Sequence, residues 1–114
     1  MKKDPLNNVL LKEFPYLEEH YLQVKDGTFD LDTPAYSFYE EIFVPYIIGK
    51  IEEKNDVEIR HCFSFIEDMM NGEEMEQDVM MQSVLCPLYE QGIELKKLPL
   101  GRRSLQYVKD WLEN

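Results

Sequence analysis

The sequence has few basic residues, few histidines and no long apolar run. Its 12 lysines and arginines stand against 23 aspartates and glutamates, so the formal net charge is -11 at pH 7. This charge repels nucleic-acid phosphates and anionic lipids, and it favours encounter with a basic partner. No apolar stretch approaches the roughly 20 residues of a membrane-spanning helix. The chain is therefore predicted to be cytoplasmic, with neither nucleic acid nor a membrane as its partner, although acidity can also serve solubility alone.

Sequence motifs of enzymes and cofactor sites are also absent. There is no G-x-x-x-x-G-K-[ST] and no G-x-G-x-x-G, which excludes the recognisable nucleotide-binding sites. The two cysteines, Cys62 and Cys86, fall on predicted apolar helix faces, as reduced thiols in a cytosolic core do. Without a C-x-x-C pair they cannot form a four-ligand zinc site by themselves. We expect no catalytic residues, no metal site and no cofactor.

Two acidic patterns offer alternatives that involve a metal. Glu58-x-x-His61 has the spacing of the carboxylate-histidine elements of di-iron bundles, but a second element is missing from the chain. A metal-dependent enzyme using Glu58 and His61 would carry stoichiometric metal. Asp26, Asp30 and Asp32 lie close together in a loop, but they lack the order of an EF-hand and its distal glutamate. A solvated helix surface and turn-forming aspartates are the simpler interpretations.

Apolar spacing places most of the chain in helices. Between residues 56 and 92, two stretches with apolar residues three and four apart meet at Asn71 and Gly72, which predicts an antiparallel helical hairpin. Asp56 is expected to cap the first helix, and Gly72 to end it in the left-handed conformation. The 114 residues suit one compact all-α domain, residues 1–114. We expect about five or six helices around this hairpin, with a HEAT-like repeat as one form of that architecture.

Prolines mark the boundaries and bends of the other helices. A short helix is predicted to begin at Pro5, and a second amphipathic helix to cover residues 15–26. A long helix is predicted over residues 35–54, with a kink at Pro45 because proline removes a backbone donor and clashes with the preceding turn. Pro87 predicts a similar bend, or an early end, in the second helix of the hairpin.

The pattern changes in the C-terminal part of the chain. Residues 93–98 alternate apolar and polar side chains, which permits a short extended segment. A closing helix is predicted over residues 104–113. Its apolar side is expected to carry Leu105, Val108, Trp111 and Leu112.

Five methionines cluster around the predicted hairpin turn. They are Met69, Met70, Met75, Met80 and Met81. Methionine-rich surfaces can adapt to binding partners, yet methionines at helical spacing are more commonly core residues. We therefore predict a core role for the cluster, with Met75 as its exposed member.

Two stretches of the chain resemble a known group of proteins. IRHCFSFIEDMMN, an acidic turn and VMMQSVLCPLYEQ are similar to small bacterial helical proteins in which a segment like FxFIExM precedes such a turn. Those chains often close with a leucine-glycine-basic-serine stretch and a short helix that ends near a tryptophan, which Leu100, Gly101, Arg102, Ser104 and Trp111 match. The chain thus resembles the small immunity proteins of polymorphic toxin systems and neighbouring families of unknown function.

The resemblance implies a non-enzymatic inhibitor that neutralises a toxin domain by binding it. An acidic surface would steer onto the basic substrate groove of such a toxin. Tyr36, Tyr46 and Met75 are candidate anchors within the contact. The predicted partner-binding residues are acidic side chains of the long helix and of the hairpin turn: Glu40, Glu41, Glu52, Glu53, Glu73, Glu74, Glu76 and Asp78.

An alternative is a helical adaptor or self-associating scaffold, whose exposed aromatic residues form a dimer. Sedimentation separates the two interpretations, because a concentration-dependent dimer favours the scaffold and a monomer favours the inhibitor.

Overall fold

The computed structural model describes residues 5–19 and 33–113, and within these ranges all regular structure is helical. The predicted all-α fold of about five or six helices is confirmed. The first helix, α1, covers Pro5–Glu13 and begins at the predicted proline, and residues 16–19 are also helical. None of the described helices combines the length and the apolar character that crossing a membrane requires. The rest of the helix predicted over residues 15–26, and the loop with Asp26, Asp30 and Asp32, lie outside the described ranges.

The long second helix, α2, covers residues 35–52 and contains a π-helical turn. It consists of α-helical Ala35–Phe38, π-helical Tyr39–Phe43 and α-helical Val44–Glu52. The Val44 amide donates to the carbonyl of Tyr39, five residues earlier, and Pro45 follows immediately. A π turn is wider than an α turn, so it relieves the clash between a proline ring and the preceding carbonyl. The helix therefore continues through Pro45.

The third helix, α3, covers Asp56–Met70, but Asp56 does not cap it as predicted. The cap is Asn55, whose side-chain oxygen accepts from the backbone amide of Glu58 at 3.2 Å. The preceding helix ends at Glu52, two residues earlier than predicted, and Lys54 then has a φ of 56°. The cap position therefore falls on Asn55, a residue type that serves this role as well as aspartate does.

Gly72 is not in the left-handed conformation that the sequence predicts. The positive φ angles among the described residues occur at Lys54 and Gly92. A Cβ atom at Gly72 would lie 2.9 Å from the carboxyl carbon of Glu76. A larger residue here would displace the side chain of Glu76, which folds back over the turn.

The fourth helix, α4, covers residues 74–90 and has the same order of α-helical and π-helical segments as α2. It consists of Glu74–Met80, a π turn over Met81–Leu85, and Cys86–Glu90. The Cys86 amide donates to the carbonyl of Met81, and Pro87 follows. As in α2, the π turn allows the helix to pass through the proline.

Short turns at residues 53–55 and 71–73 make α3 antiparallel to both of its neighbours in the chain. The predicted antiparallel hairpin is thus formed by α3 and α4. Consequently α2 and α4 run parallel, and their π turns pack against each other. The α1 helix joins this core through the buried hydroxyl of Tyr39, which donates to the carbonyl of Leu6 at 2.6 Å. The largest fully buried side chains come from these elements: Phe14, Phe38, Tyr39, Phe43, Phe63, Leu10, Leu17, Ile42, Ile47, Ile66, Met80 and Leu85.

The methionine cluster divides between the core and the surface as expected. Met69, Met70 and Met80 are buried, whereas Met75 is 45% exposed. Met81 is half-buried, on the surface side of α4. The core prediction is confirmed for the three buried methionines, and the prediction of an exposed Met75 is confirmed as well.

The segment before the closing helix is not extended. Leu95–Lys97 forms a 3-10 turn, in which the Leu98 amide donates to the carbonyl of Leu95 at 3.0 Å. The described chain has no strand to pair with this segment, so its backbone groups are satisfied locally. The side chain of Leu95 is fully buried and anchors the turn to the core.

The closing helix, α5, begins two residues earlier than predicted and packs against α3. It covers residues 102–112, with α-helical Arg102–Tyr107 and a π turn over Val108–Leu112. Val108 is buried, but Trp111 is 76% exposed and does not share the apolar side. The π turn shifts the residues after Val108 around the helix axis, which turns Trp111 toward solvent.

Candidate functional site

The eight predicted acidic residues do not form one surface. Glu52 and Glu53 lie at the C-terminal end of α2, whereas Glu73 and Glu74 lie at the N-terminal end of α4. The two helices run parallel, so these pairs stand at opposite ends of the molecule. The length of α2 separates them by roughly 27 Å, at about 1.5 Å per residue. The exposed members of the set are Glu40, Glu41, Glu52, Glu53, Glu73 and Glu74, and the half-buried members are Glu76 and Asp78.

Part of the acidic cluster at the start of α4 has a structural role. The backbone amide of Glu73 donates to the Oε1 atom of Glu76 at 2.7 Å, and the two residues form a capping box. Gln77 closes the turn from the other side, because its Nε2 donates to the carbonyl of Gly72 at 2.9 Å. The carboxylate of Glu76 is therefore already engaged in a hydrogen bond within the chain. Glu74 is exposed and makes no such bond, so it remains available to a partner.

A groove beside these acids brings Tyr36 and Met75, two of the predicted anchors, together. The hydroxyl of Tyr36 donates to the Oδ2 atom of Asp78 at 2.5 Å and lies 3.6 Å from the sulfur of Met75. The carboxylate of Asp78 raises the pKa of Tyr36, chiefly by accepting this hydrogen bond and further by burial. The groove has a volume of about 510 Å³ and is lined by Tyr36, Glu74, Met75, Gln77, Asp78 and Met81. We call it the acidic groove.

A second and larger groove lies between the start of α4 and α5. Its volume is about 690 Å³, and it shares Gln77 and Met81 with the acidic groove. The two grooves therefore flank one ridge on α4. We call this second groove the C-terminal groove. Its α5 side is lined by Arg102, Arg103, Gln106, Tyr107, Asp110 and Trp111.

The position of α5 depends on Glu67, a residue of α3. Its carboxylate accepts from the backbone amides of Arg103 and Ser104 at 2.9 and 3.0 Å, and from the Ser104 hydroxyl at 2.9 Å. Glu67 thus caps the N-terminus of a helix that starts more than thirty residues later in the chain. Gly101 makes room for this contact, because a Cβ atom there would overlap the side chain of Glu67.

The pKa of Glu67 lies below the ordinary value of a glutamate. Burial on its own raises this pKa, but the hydrogen bonds from Arg103, Ser104 and Asn71 to the carboxylate outweigh the effect of burial. The charged form of Glu67 is therefore the form that holds α5. The sequence did not predict this contact between Glu67 and α5. Glu67 belongs to the FxFIExM segment, and Gly101 and Ser104 belong to the leucine-glycine-basic-serine stretch near the C-terminus.

The side chains of Arg102 and Arg103 are free of ion pairs within residues 5–19 and 33–113. Both residues are exposed at the edge of the C-terminal groove. The Asp110 carboxylate, on the same helix, accepts instead from Nε2 of Gln106 at 2.7 Å. Trp111 stands in the same groove with most of its surface in solvent. Tryptophan and arginine are residue types that are enriched at the centres of protein interfaces.

The Glu58 and His61 pair takes part in a hydrogen-bond network on another side of the molecule. The Nε2 atom of His61 lies 2.7 Å from Glu13 of α1, and its Nδ1 atom lies 3.3 Å from Glu58. The hydroxyl of Tyr46 also donates to Glu58. The two carboxylates favour a protonated His61 and raise its pKa, chiefly through the hydrogen bond to Glu13, although burial acts in the opposite direction. Among the described residues, no group of three or more histidine, cysteine, aspartate or glutamate side chains is placed to hold a metal ion.

Tyr46 is separated from the other predicted anchors. It stacks with the exposed ring of Tyr16, at 6.2 Å between ring centroids, and it donates to Glu58. Burial is the largest cause that raises the pKa of Tyr46, followed by the hydrogen bond to Glu58. Its role is thus to join α2 to α3, whereas Tyr36 and Met75 lie together at the acidic groove.

A family model described as "Domain of unknown function (DUF7674)" matches residues 7–99. The matched range includes most of α1 and all of α2 to α4 and ends before α5, so Arg102, Arg103 and Trp111 lie outside it. No curated protein and no solved structure matches the chain. The predicted HEAT-like repeat and the resemblance to immunity proteins therefore stay predictions.

Proposed function

We propose that this chain, which belongs to the DUF7674 family, is a non-enzymatic inhibitor that binds and neutralises a basic toxin domain in the cytoplasm. The observation that carries the proposal is the acidic groove. There, Tyr36 and Met75 lie directly beside Glu74 and Asp78. Tyr36 and Met75 can bury surface against a partner, and the exposed carboxylate of Glu74 can attract a cation in the same contact.

The net charge of the chain also supports a positively charged partner. At -11, the long-range field of the chain accelerates association with a positively charged surface and opposes association with an acidic one. Nuclease toxins hold basic grooves for their substrates, so a chain of this charge would cover the groove and exclude nucleic acid. Neutralisation then needs no chemistry from the inhibitor.

The geometry narrows the predicted docking residues. Glu74 is exposed beside the groove, whereas Glu76 is held in the capping box and Asp78 is held by Tyr36. Glu52 and Glu53 lie at the far end of α2, and Glu53 also pairs with Lys50 at 3.2 Å. We therefore assign the direct contacts to Tyr36, Met75 and Glu74, and a long-range steering role to the other acids.

The test is the association rate with the toxin domain encoded beside this chain, measured by stopped flow at several salt concentrations. Glu74→Lys is expected to slow association by about tenfold at low salt, since it reverses a charge at the contact. Glu52→Lys is the matched control, because it makes the same change in net charge at the opposite end of the molecule. Equal rates for the two variants would show that only net charge matters and would overturn the assigned contact.

A second candidate function is a self-associating scaffold, and the exposure of Trp111 favours it. A tryptophan with 76% of its surface in solvent is an unusual surface residue in a monomer and a common interface residue. Sedimentation velocity across a wide concentration range tests this function. A dimer that disappears in Trp111→Ala would support the scaffold, and a monomer at every concentration would exclude it.

A further inference from the structure

The C-terminal groove differs in charge from the rest of the molecule. The chain has three arginines, and two of them, Arg102 and Arg103, stand side by side at this groove. Neither guanidinium has an ion pair in the described part of the chain. In a protein with a net charge of -11, these two side chains place positive charge on an otherwise negative molecule.

Two carboxylates, those of Glu67 and Asp110, also line this groove, and each already accepts hydrogen bonds from its own chain. Glu67 accepts from the first amides of α5, and Asp110 accepts from Gln106. Among the residues that the structure describes, neither exposed guanidinium group forms an ion pair with these carboxylates. Arginine presents its donors as a planar fork that matches a carboxylate, so the complementary ligand group is a carboxylate.

An apolar surface lies within reach of the same arginines. Met81 and Tyr107 are half-buried along the groove, and the exposed ring of Trp111 stands at its α5 wall. Aromatic and methionine side chains accept apolar and aromatic groups of varied shape. The groove therefore offers a carboxylate site and an apolar site side by side, within a volume of about 690 Å³.

We propose that the C-terminal groove binds a segment of the partner protein in which an acidic residue stands next to an aromatic or large apolar residue. This inference rests on the proposed function, since it assigns a second contact to the same partner. The partner would present its basic surface to the acidic groove and this acidic-apolar segment to the C-terminal groove. The rest of the chain repels acidic segments, so the two arginines determine where such a segment can dock and supply specificity.

The position of Glu67 gives this groove its shape. The carboxylate fixes the first turn of α5 against α3, so Arg102 and Arg103 leave the helix from a defined place. Glu67 is thus a positioning residue for the groove and does not need to contact the partner.

The single tryptophan of the chain makes the proposal directly measurable. The probe is a capped hexapeptide, acetyl-Gly-Glu-Leu-Phe-Glu-Gly-amide, titrated to millimolar concentration against the full chain. Because Trp111 lines the groove, occupancy is expected to shift its fluorescence emission to shorter wavelength in a saturable manner. The glutamine version of the same peptide is expected to bind at least about fivefold more weakly, since it lacks the charges that pair with the arginines.

The variants separate the arginine contact from general charge effects. Arg102→Gln combined with Arg103→Gln is expected to weaken binding of the acidic peptide by about fivefold or more. Arg60→Gln is the control for the loss of one positive charge outside this groove, because Arg60, the third arginine, lies on α3. Loss in the double variant with no change in Arg60→Gln supports the proposal. Equal binding of the acidic and glutamine peptides, no saturable shift with either, or tighter binding of a lysine version would overturn it.

The peptide experiment and the test of the proposed function can fail separately. Glu74→Lys lies at the acidic groove and tests binding of the basic partner. If that variant slows association with the toxin domain while the acidic peptide fails to bind, the second contact is wrong and the inhibitor function stands. If the peptide binds and the toxin domain does not, the groove is a binding site and the inhibitor function is wrong.

Discussion

Glu67 and Glu74 are both glutamates on neighbouring helices, and they differ in what surrounds them. Glu67 accepts hydrogen bonds from Arg103, Ser104 and Asn71 and holds α5 in place. Glu74 is exposed at the start of α4 and has no hydrogen bond or ion pair within the described residues. Two carboxylates with the same charge therefore differ in their contribution: Glu67 stabilises the position of α5, whereas Glu74 lies exposed at the surface. The total charge of the chain does not distinguish them.

Removal of the Glu67 side chain should have the largest effect on stability. Glu67→Ala leaves the first amides of α5 and the Ser104 hydroxyl without their acceptor, so we expect a loss of about 2 kcal/mol in the free energy of unfolding. Urea denaturation followed by circular dichroism measures this loss. Asp68→Ala removes the adjacent, exposed acid and should change stability by less than about 0.5 kcal/mol. Equal effects of the two substitutions would show that the contact with α5 contributes nothing.

The contact between Glu67 and α5 can also be disrupted by a substitution at Gly101. Gly101→Ala places a methyl group where the side chain of Glu67 lies, so the carboxylate must move away from the amides. We expect a loss of about 1 kcal/mol, smaller than for Glu67→Ala because the carboxylate can relocate and remain solvated. Gly49→Ala is the matched control, since a Cβ atom added at Gly49, in the last turn of α2, meets no side chain or other element within 4 Å. It should stabilise the chain by up to about 1 kcal/mol, and a loss in that variant would contradict the comparison.

The pH dependence of stability should reveal the ion pairs of His61. Its folded pKa is raised above the unfolded value of about 6.5. The protonated imidazole therefore contributes stability below that value, and this contribution is lost as the pH rises through the folded pKa. The stability difference between the wild type and His61→Gln should accordingly shrink as the pH increases through neutrality. The measurement is a series of urea midpoints for both proteins, and a difference that grows with pH would contradict the assigned contacts with Glu13 and Glu58.

The smallest expected effect on stability is that of Glu74. Glu74→Lys should change the free energy of unfolding by less than about 0.5 kcal/mol, because the side chain is exposed; the small loss reflects an acid replaced by a base in the first turn of a helix. The same variant is expected to slow association with a basic partner. Thermal denaturation measures the first quantity. A loss comparable to that of Glu67→Ala would show that Glu74 also serves the fold.

The helices themselves could be predicted from the sequence, since their signals are local. The apolar spacing of residues 59 to 70 and the turn at Asn71 and Gly72 lead to the observed hairpin of α3 and α4. The exposure of Met75 could also be predicted, because it stands between glutamates in the first turn of α4. Asn55 and Asp56 are both good cap residues, so the choice between them depended on the turn at Lys54.

The candidate site could not be predicted in the same way, because it depends on contacts between residues far apart in the chain. Glu67 and Ser104 are 37 residues apart, and no local pattern indicates that one caps the helix of the other. The separation of Glu52 from Glu74 follows only from the parallel packing of α2 and α4. The exposure of Trp111 follows from the π turn at the end of α5, which apolar spacing calculated for a regular α-helix does not anticipate.

The paired π turns have a consequence for how this family can vary in length. A π turn holds one residue more than the α turn it replaces, and in both α2 and α4 it stands immediately before an X-Pro pair. A relative that lost the proline would no longer need the wider turn, and it could lose one residue there without shifting the rest of the helix. Single-residue deletions in these two helices should therefore accompany replacement of Pro45 or Pro87, and alignments of the family should show the two changes together.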